Sequence, residues 1–187
     1  MNKQLIVIDA QEDFTRGVLG NEYAASRLPI IQDLVDYAFL NFDHPTVYTK
    51  DTHDHSTYEH SLEKDYDIAP HCINLTKGWQ ICHEAITERS KIIEKSTFGY
   101  AHWDNNCYIP KGIEEIWICG FCTDICVISN FMILRAVFPK IPIIVLEDAC
   151  AGTSKELHDA AISVIKSCCG EVYNWEEIRM KKEEEEL

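Results

Sequence analysis

The stretch "EIWICGFCTDICVISNFMILRAVFP", residues 115–139, contains a strand pattern followed directly by a helix pattern. Its first six residues form a β-rich apolar run (115–120), short enough for a buried strand. After Thr123-Asp124 the chain is apolar nearly all round as far as Phe138, and Pro139 stops it, which predicts a buried helix over 124–138. A near-continuous apolar strand followed by a buried helix belongs in a parallel sheet covered on both faces.

The same alternation extends in both directions. "QLIVID" (4–9), "PTVYTK" (45–50), "KIIEK" (91–95), "IPIIVLE" (141–147) and "EVYNW" (171–175) read as further strands. Between them, Leu28, Ile31, Val35, Ala38, Phe39 and Phe42 share one helical face, and so do Leu157, Ala160, Ala161, Val164, Ile165 and Cys168. Thr153 and Glu156 have the spacing of a capping box before the second of these. The expected fold is α/β: a three-layer, doubly wound, six-stranded and mainly parallel sheet with helices on both faces. With 187 residues and no repeat or linker, a single domain over 1–187 is expected, ending in an acidic tail at about 181–187.

Composition narrows the partners. A formal charge of −14 argues against nucleic acid and anionic membrane. No run approaches the ~20 apolar residues that span a bilayer. The opening "MNKQLIVIDA" has about four strong hydrophobes in a row before an Asp, too few for a signal-peptide core. Nine cysteines, an odd number without framework spacing, read as reduced thiols in a cytoplasmic protein.

Ligands of open parallel sheets bind at the carboxyl ends of the strands, and the chemically capable residues gather there. Asp9 ends the first strand, Asp51 and His53 follow the second, Lys95 ends the third, and Cys126 follows the fourth. Cys126 would lie in the first turn of the buried helix, with Thr123 or Asp124 as N-cap, where the dipole favours a thiolate. Asp9 can act as a base, and Lys95 can stabilise developing negative charge. The rival is "CGFC", whose Cys119 and Cys122 have thiol–disulfide oxidoreductase spacing, although that reading leaves Asp9 and Lys95 unexplained. A zinc site on the same two cysteines lacks a second Cys-x-x-Cys. A non-catalytic binding subunit is the remaining alternative.

The segments "IDAQEDF" (8–14), "KSTFGY" (95–100), "GFCTDICV" (120–127) and "EDACAG" (147–152) resemble, in order and spacing, the isochorismatase-like cysteine hydrolases, over roughly residues 4–175. This superfamily contains the nicotinamidases. The resemblance implies an Asp–Lys–Cys triad of Asp9, Lys95 and Cys126, a cis peptide at Phe121–Cys122, and an oxyanion hole of the Cys122 and Cys126 N–H groups. It also gives a meaning to the loop "KDTHDHSTYEHSLEKDYDIAPHC" (50–72). In the nicotinamidase (pyrazinamidase/nicotinamidase) branch, the residues matching Asp51, His53 and His71 bind a divalent metal, zinc first and iron or manganese as alternatives. Glu63 is the nearest match to a further ligand, ahead of Glu59 and His60, with His55 at the surface. Phe14, Phe98 and Tyr100 would line the substrate pocket, and Ile68 stands where many members place a Trp against the pyridine ring.

The expected activity is metal-assisted hydrolysis of nicotinamide to nicotinic acid and ammonia, a step of NAD salvage, through a thioester on Cys126. Hydrolysis of another small amide, or of a vinyl ether, is the alternative within the superfamily. The expected partners are a small-molecule amide and further copies of the chain.

Overall fold

A computed structural model describes residues 1–105 and 107–185. Six strands, β1 (Lys3–Ile8), β2 (Thr46–Asp51), β3 (Ser90–Lys95), β4 (Glu115–Phe121), β5 (Ile143–Ala151) and β6 (Glu171–Tyr173), form one sheet in the order β3-β2-β1-β4-β5-β6. Every pairing is parallel. The central strands are buried along nearly their whole length, as the near-continuous apolar runs require.

Eight α-helices accompany the described strands. Three precede β2: α1 (Glu12–Thr15), α2 (Glu22–Ala25) and α3 (Leu28–Asn41). Two short ones, α4 (His55–Tyr58) and α5 (Leu62–Asp65), interrupt the long polar loop. Then come α6 (Ile128–Val137), α7 (Lys155–Ser167) and α8 (Trp175–Glu185). The chain steps outward from β1 to β3 on one side and from β4 to β6 on the other. Right-handed crossovers then place the two sets of helices on opposite faces. Accordingly α3 packs with α8, and α6 packs with α7. The reversal falls between β1 and β4, and a crevice opens at their carboxyl ends. Gly120 makes this junction close: its φ is +117°, and a Cβ there would run into the Ile8 backbone on the facing strand.

Several local expectations are corrected. The helix predicted over 124–138 begins as a π-helical turn, Thr123–Val127, and continues as α6. Ser154, not Thr153, caps α7, its hydroxyl accepting from the Leu157 N–H at 3.1 Å. The buried face of α7 is His158, Ala161, Ile162 and Ile165, while Leu157 and Val164 are exposed. In α3, Leu34 is buried and Phe39 exposed.

Strand β5 runs four residues past its expected end, to Ala151, and β6 stops at Tyr173 because Trp175 opens α8. Asp148 caps α8 from a distance, its two carboxylate oxygens accepting from the N–H groups of Trp175 and Glu176. The predicted acidic tail is helical as far as Glu185, and residues 186–187 lie outside the described residues. No described helix is long and apolar enough to cross a membrane.

Candidate active site

Asp9 is the first residue beyond β1, fully buried and held at a φ of 46°. Left-handed backbone is uncommon for a residue with a side chain, and such outliers concentrate at functional sites. Thr49 of β2 anchors it: the Asp9 N–H donates to the Thr49 carbonyl at 3.2 Å, and the Thr49 hydroxyl donates to Asp9 Oδ1 at 2.7 Å. Lys95 ends β3 in register with Asp51. Its Nζ lies 2.7 Å from Asp9 Oδ2 and 3.7 Å from Asp51 Oδ1, and it donates to Cys126 Sγ at 3.8 Å. The structure thus brings Asp9, Lys95 and Cys126 into mutual contact.

Burial dominates the electrostatics here. It pushes the Cys126 thiol well above its ordinary pKa; Lys95 works the other way, and Asp9 and Asp51 add to the rise. Desolvation therefore works against the thiolate expected from the helix start. Burial also raises the Asp9 pKa against the pull of Lys95, making it a better proton acceptor than an ordinary carboxylate. Burial disfavours a charged Lys95, but Asp9, Cys126 and Asp51 outweigh that and raise its pKa. The set can do one thing well: pass the thiol proton to Asp9 as sulfur forms a bond, with Lys95 holding the charge.

Asp51, His53 and His71 form a second cluster, all buried, each offering a ligand atom within 4.8 Å of the others. Asp51 Oδ2 lies 3.1 Å from His53 Nε2 and 3.2 Å from His71 Nε2. Glu63 Oε2 faces the same nitrogens at 3.5 and 3.7 Å, and it is buried without a hydrogen-bond partner. Because a carbonyl only accepts, His71 Nδ1 must donate to the Ala69 oxygen 2.9 Å away, so a neutral His71 turns a lone pair on the carboxylates. Burial works against a charged His71, yet bonds to Asp51 and Ala69 raise its pKa on balance. Burial also raises the Asp51 pKa, but His53 and His71 beside its carboxylate and the Lys95 charge hold it well below the usual carboxylate range. Converging lone pairs and an orphaned carboxylate oxygen suit a divalent cation, and the donor set fits one.

Both clusters open on one chamber of about 40 Å³, with Asp51, His71 and Cys126 in its wall and Phe14, Ile68 and Phe98 around it. Phe14 also packs edge-on against His71, centroids 5.5 Å apart. Tyr100 is a correction. It lies among Trp103, His102 and Tyr108 and not at the chamber, because its N–H is tied to Asn130. His55, Glu59 and His60 point to solvent.

The family model of the isochorismatase domain matches residues 3–177. This chain belongs to the isochorismatase family. No curated protein sequence matches it. Among solved structures, a nicotinamidase/pyrazinamidase from Bacillus subtilis is 25% identical with a TM-score of 0.78, covering 93% of this chain and 100% of that one. A pyrazinamidase of Pyrococcus horikoshii in complex with zinc is 21% identical with a TM-score of 0.81, covering 94% and 100%. An N-carbamoylsarcosine amidase from Thermoplasma acidophilum is 21% identical with a TM-score of 0.73, covering 93% and 96%.

The isochorismatase-family site has supports that residue-by-residue reading missed. Gln11 clamps the backbone of Asp51 from both sides, accepting from its N–H at 2.7 Å and donating to its carbonyl at 2.9 Å. Asp13 accepts from the Cys72 N–H at 2.8 Å, steadying the residue after His71. Tyr58 donates to the Ile68 carbonyl and packs edge-on against both histidines. The signal for Gln11 and Asp13 was their period-2 spacing after Asp9. Tyr58 carried none.

Asp124 and Thr123 do not cap the helix. The first accepts from the N–H and hydroxyl of Thr153, and the second hydrogen-bonds His158 Nδ1 at 2.7 Å. The Phe121–Cys122 peptide is cis. Burial raises the Cys119 thiol well above its ordinary pKa and the Cys122 thiol to about 12, the reverse of what disulfide exchange needs.

Proposed function

We propose that this family member is a metal-assisted cysteine amidohydrolase acting on nicotinamide. The observation that carries the reading is the shared chamber: Cys126 in one wall, and Asp51 and His71 of the metal cluster in the same space. Cys126 Sγ attacks the carboxamide carbon while its proton passes to Asp9. The backbone N–H groups of Cys122 and Cys126 receive the oxyanion, each contributing ~3 kcal/mol as such donors do in other hydrolases. Asp9 then gives its proton to the departing ammonia as the C–N bond breaks, leaving a thioester. Water, losing a proton to Asp9, attacks the thioester carbon. The sulfur departs, recovers that proton, and nicotinic acid is released.

Asp51, His53, His71 and Glu63 would hold the divalent ion, zinc in the first instance, which when bound supplies Lewis-acid binding of the pyridine nitrogen. Phe14, Phe98 and Ile68 supply apolar walls.

Ammonia release from nicotinamide and from benzamide by zinc-loaded enzyme tests the reading. Benzamide lacks the ring nitrogen and should be slower by ~10⁴-fold, because a site built round one polar contact rejects an analogue without it. Cys126→Ala should abolish release, while Cys119→Ala and Cys122→Ala retain most of it. Equal turnover of the two amides would remove nicotinamide as the substrate.

A further inference from the structure

The chamber beside Cys126, at about 40 Å³, has room for little more than a water molecule or a carboxamide. Ligand pockets ordinarily run ~300–1,000 Å³. Space on that scale lies next door. A groove of about 520 Å³ shares Ile68, Phe98 and Ile125 with the chamber as a common wall.

Leu62 and Tyr66, at the two ends of α5, form its outer side, and Ser129 of α6 part of its floor. The α5 helix buries none of its own residues, and Leu62 is 74% and Tyr66 80% exposed. Two large apolar side chains therefore stand in water beside the mouth of a catalytic chamber. The groove's two charged residues are already committed. Asp124 accepts two hydrogen bonds from Thr153, and Glu63 is turned towards His53 and His71. Among the described residues lining the groove, none is a Lys or Arg that would seat an anion.

We infer that this groove is a subsite for an uncharged apolar group that the substrate carries beyond its reacting carboxamide. The substrates it favours are then nicotinamide-type carboxamides whose ring carries an uncharged apolar extension. The inference rests on Cys126 being the nucleophile and deepens that reading. The carboxamide enters the chamber, the adjoining part of the body meets Ile68 and Phe98, and the remainder lies between Tyr66, Leu62 and Ile125. An unsubstituted nicotinamide leaves the outer groove to water. Each methylene transferred into the groove should raise affinity by about threefold to fourfold, and a carboxylate at the same place should lower it beside Glu63.

The test uses N-alkyl iodoacetamides from ethyl to hexyl on the full chain, with alkylation followed at each cysteine by peptide mass spectrometry. The alkylation rate of Cys126 should rise by about threefold per methylene while binding in the groove is unsaturated. Exposed Cys107 and Cys169 are internal controls and should show no such rise. Leu62→Gln with Tyr66→Gln should flatten the hexyl-to-ethyl ratio at Cys126, and both positions are exposed enough to change without unpacking the fold. A Cys126 rate that stays level or falls with chain length overturns the inference, as does a slope unaltered in the double variant. This readout does not depend on hydrolysis. Nicotinamide turnover without a chain-length effect would leave the amidase reading standing and remove the subsite. A chain-length effect in an enzyme that hydrolyses no amide would do the opposite.

Discussion

Burial raises the pKa of the Cys126 thiol more than Lys95 lowers it, so in the proposed mechanism attack and proton transfer to Asp9 occur together. The pH dependence follows from that. Asp9 serves as base only when deprotonated, and its pKa is raised from 3.8, so kcat/KM for nicotinamide should fall on the acid side with a midpoint above 3.8. Lys95 is shifted upward from 10.5, so it stays charged and contributes no alkaline limb below that value. Metal content measured at each pH separates Asp9 from loss of the ion through ligand protonation. An acid midpoint at or below 3.8 with the metal still bound would exclude Asp9 as the base.

At the scale of elements, one buried amide joins α6 to the loop after β3. Asn130 Oδ1 accepts from the Tyr100 N–H at 2.9 Å and the Trp103 indole at 3.0 Å, while Nδ2 donates to the Phe98 and Cys126 carbonyls at 3.2 and 2.8 Å. The indole N–H can only donate, which fixes the amide's orientation. Asn130→Leu removes the partner of four buried or half-buried groups. It should cost about 3 kcal/mol or more, read as a melting temperature lower by roughly 6–12 °C for a chain of this size. A loss under about 2 °C would mean that water or rearrangement replaces those bonds. The same variant loosens the carbonyl of Cys126, so activity should fall before stability is exhausted.

For the molecule as a whole, the sheet order brings β1, β2, β3 and β4 side by side, and with them residues separated by more than a hundred positions. Lys95 reaches across β2 to Asp9 with a buried ion pair, and Asp51 stands between the triad and the histidines. A metal ion that binds only the assembled cluster must stabilise the fold by mass action, by ~2.7 kcal/mol at a free concentration a hundred times Kd. Zinc added to metal-free protein should then raise the melting temperature by about 5–10 °C. His53→Ala should abolish most of the rise. An equal rise in that variant would place the binding elsewhere.

The sequence by itself determined the succession of strands and helices and the residues at the strand ends. Apolar runs and helical periodicity are local properties of the chain, and a residue that ends a strand, as Lys95 does, or directly follows one, as Asp9 does, sits at the carboxyl edge wherever the strand lies in the sheet. The recognisable motifs extended this to the metal loop. Only the tertiary structure decided which side of α7 is buried, since Leu157 and Val164 are as apolar as Ile162 and Ile165 and packing partners choose between them. It turned Thr123 and Asp124 from the expected caps towards His158 and Thr153, and it carried Tyr100 away from the chamber. It also raised the Cys126 thiol, because desolvation sums over everything packed around a group and no short stretch of sequence contains that sum.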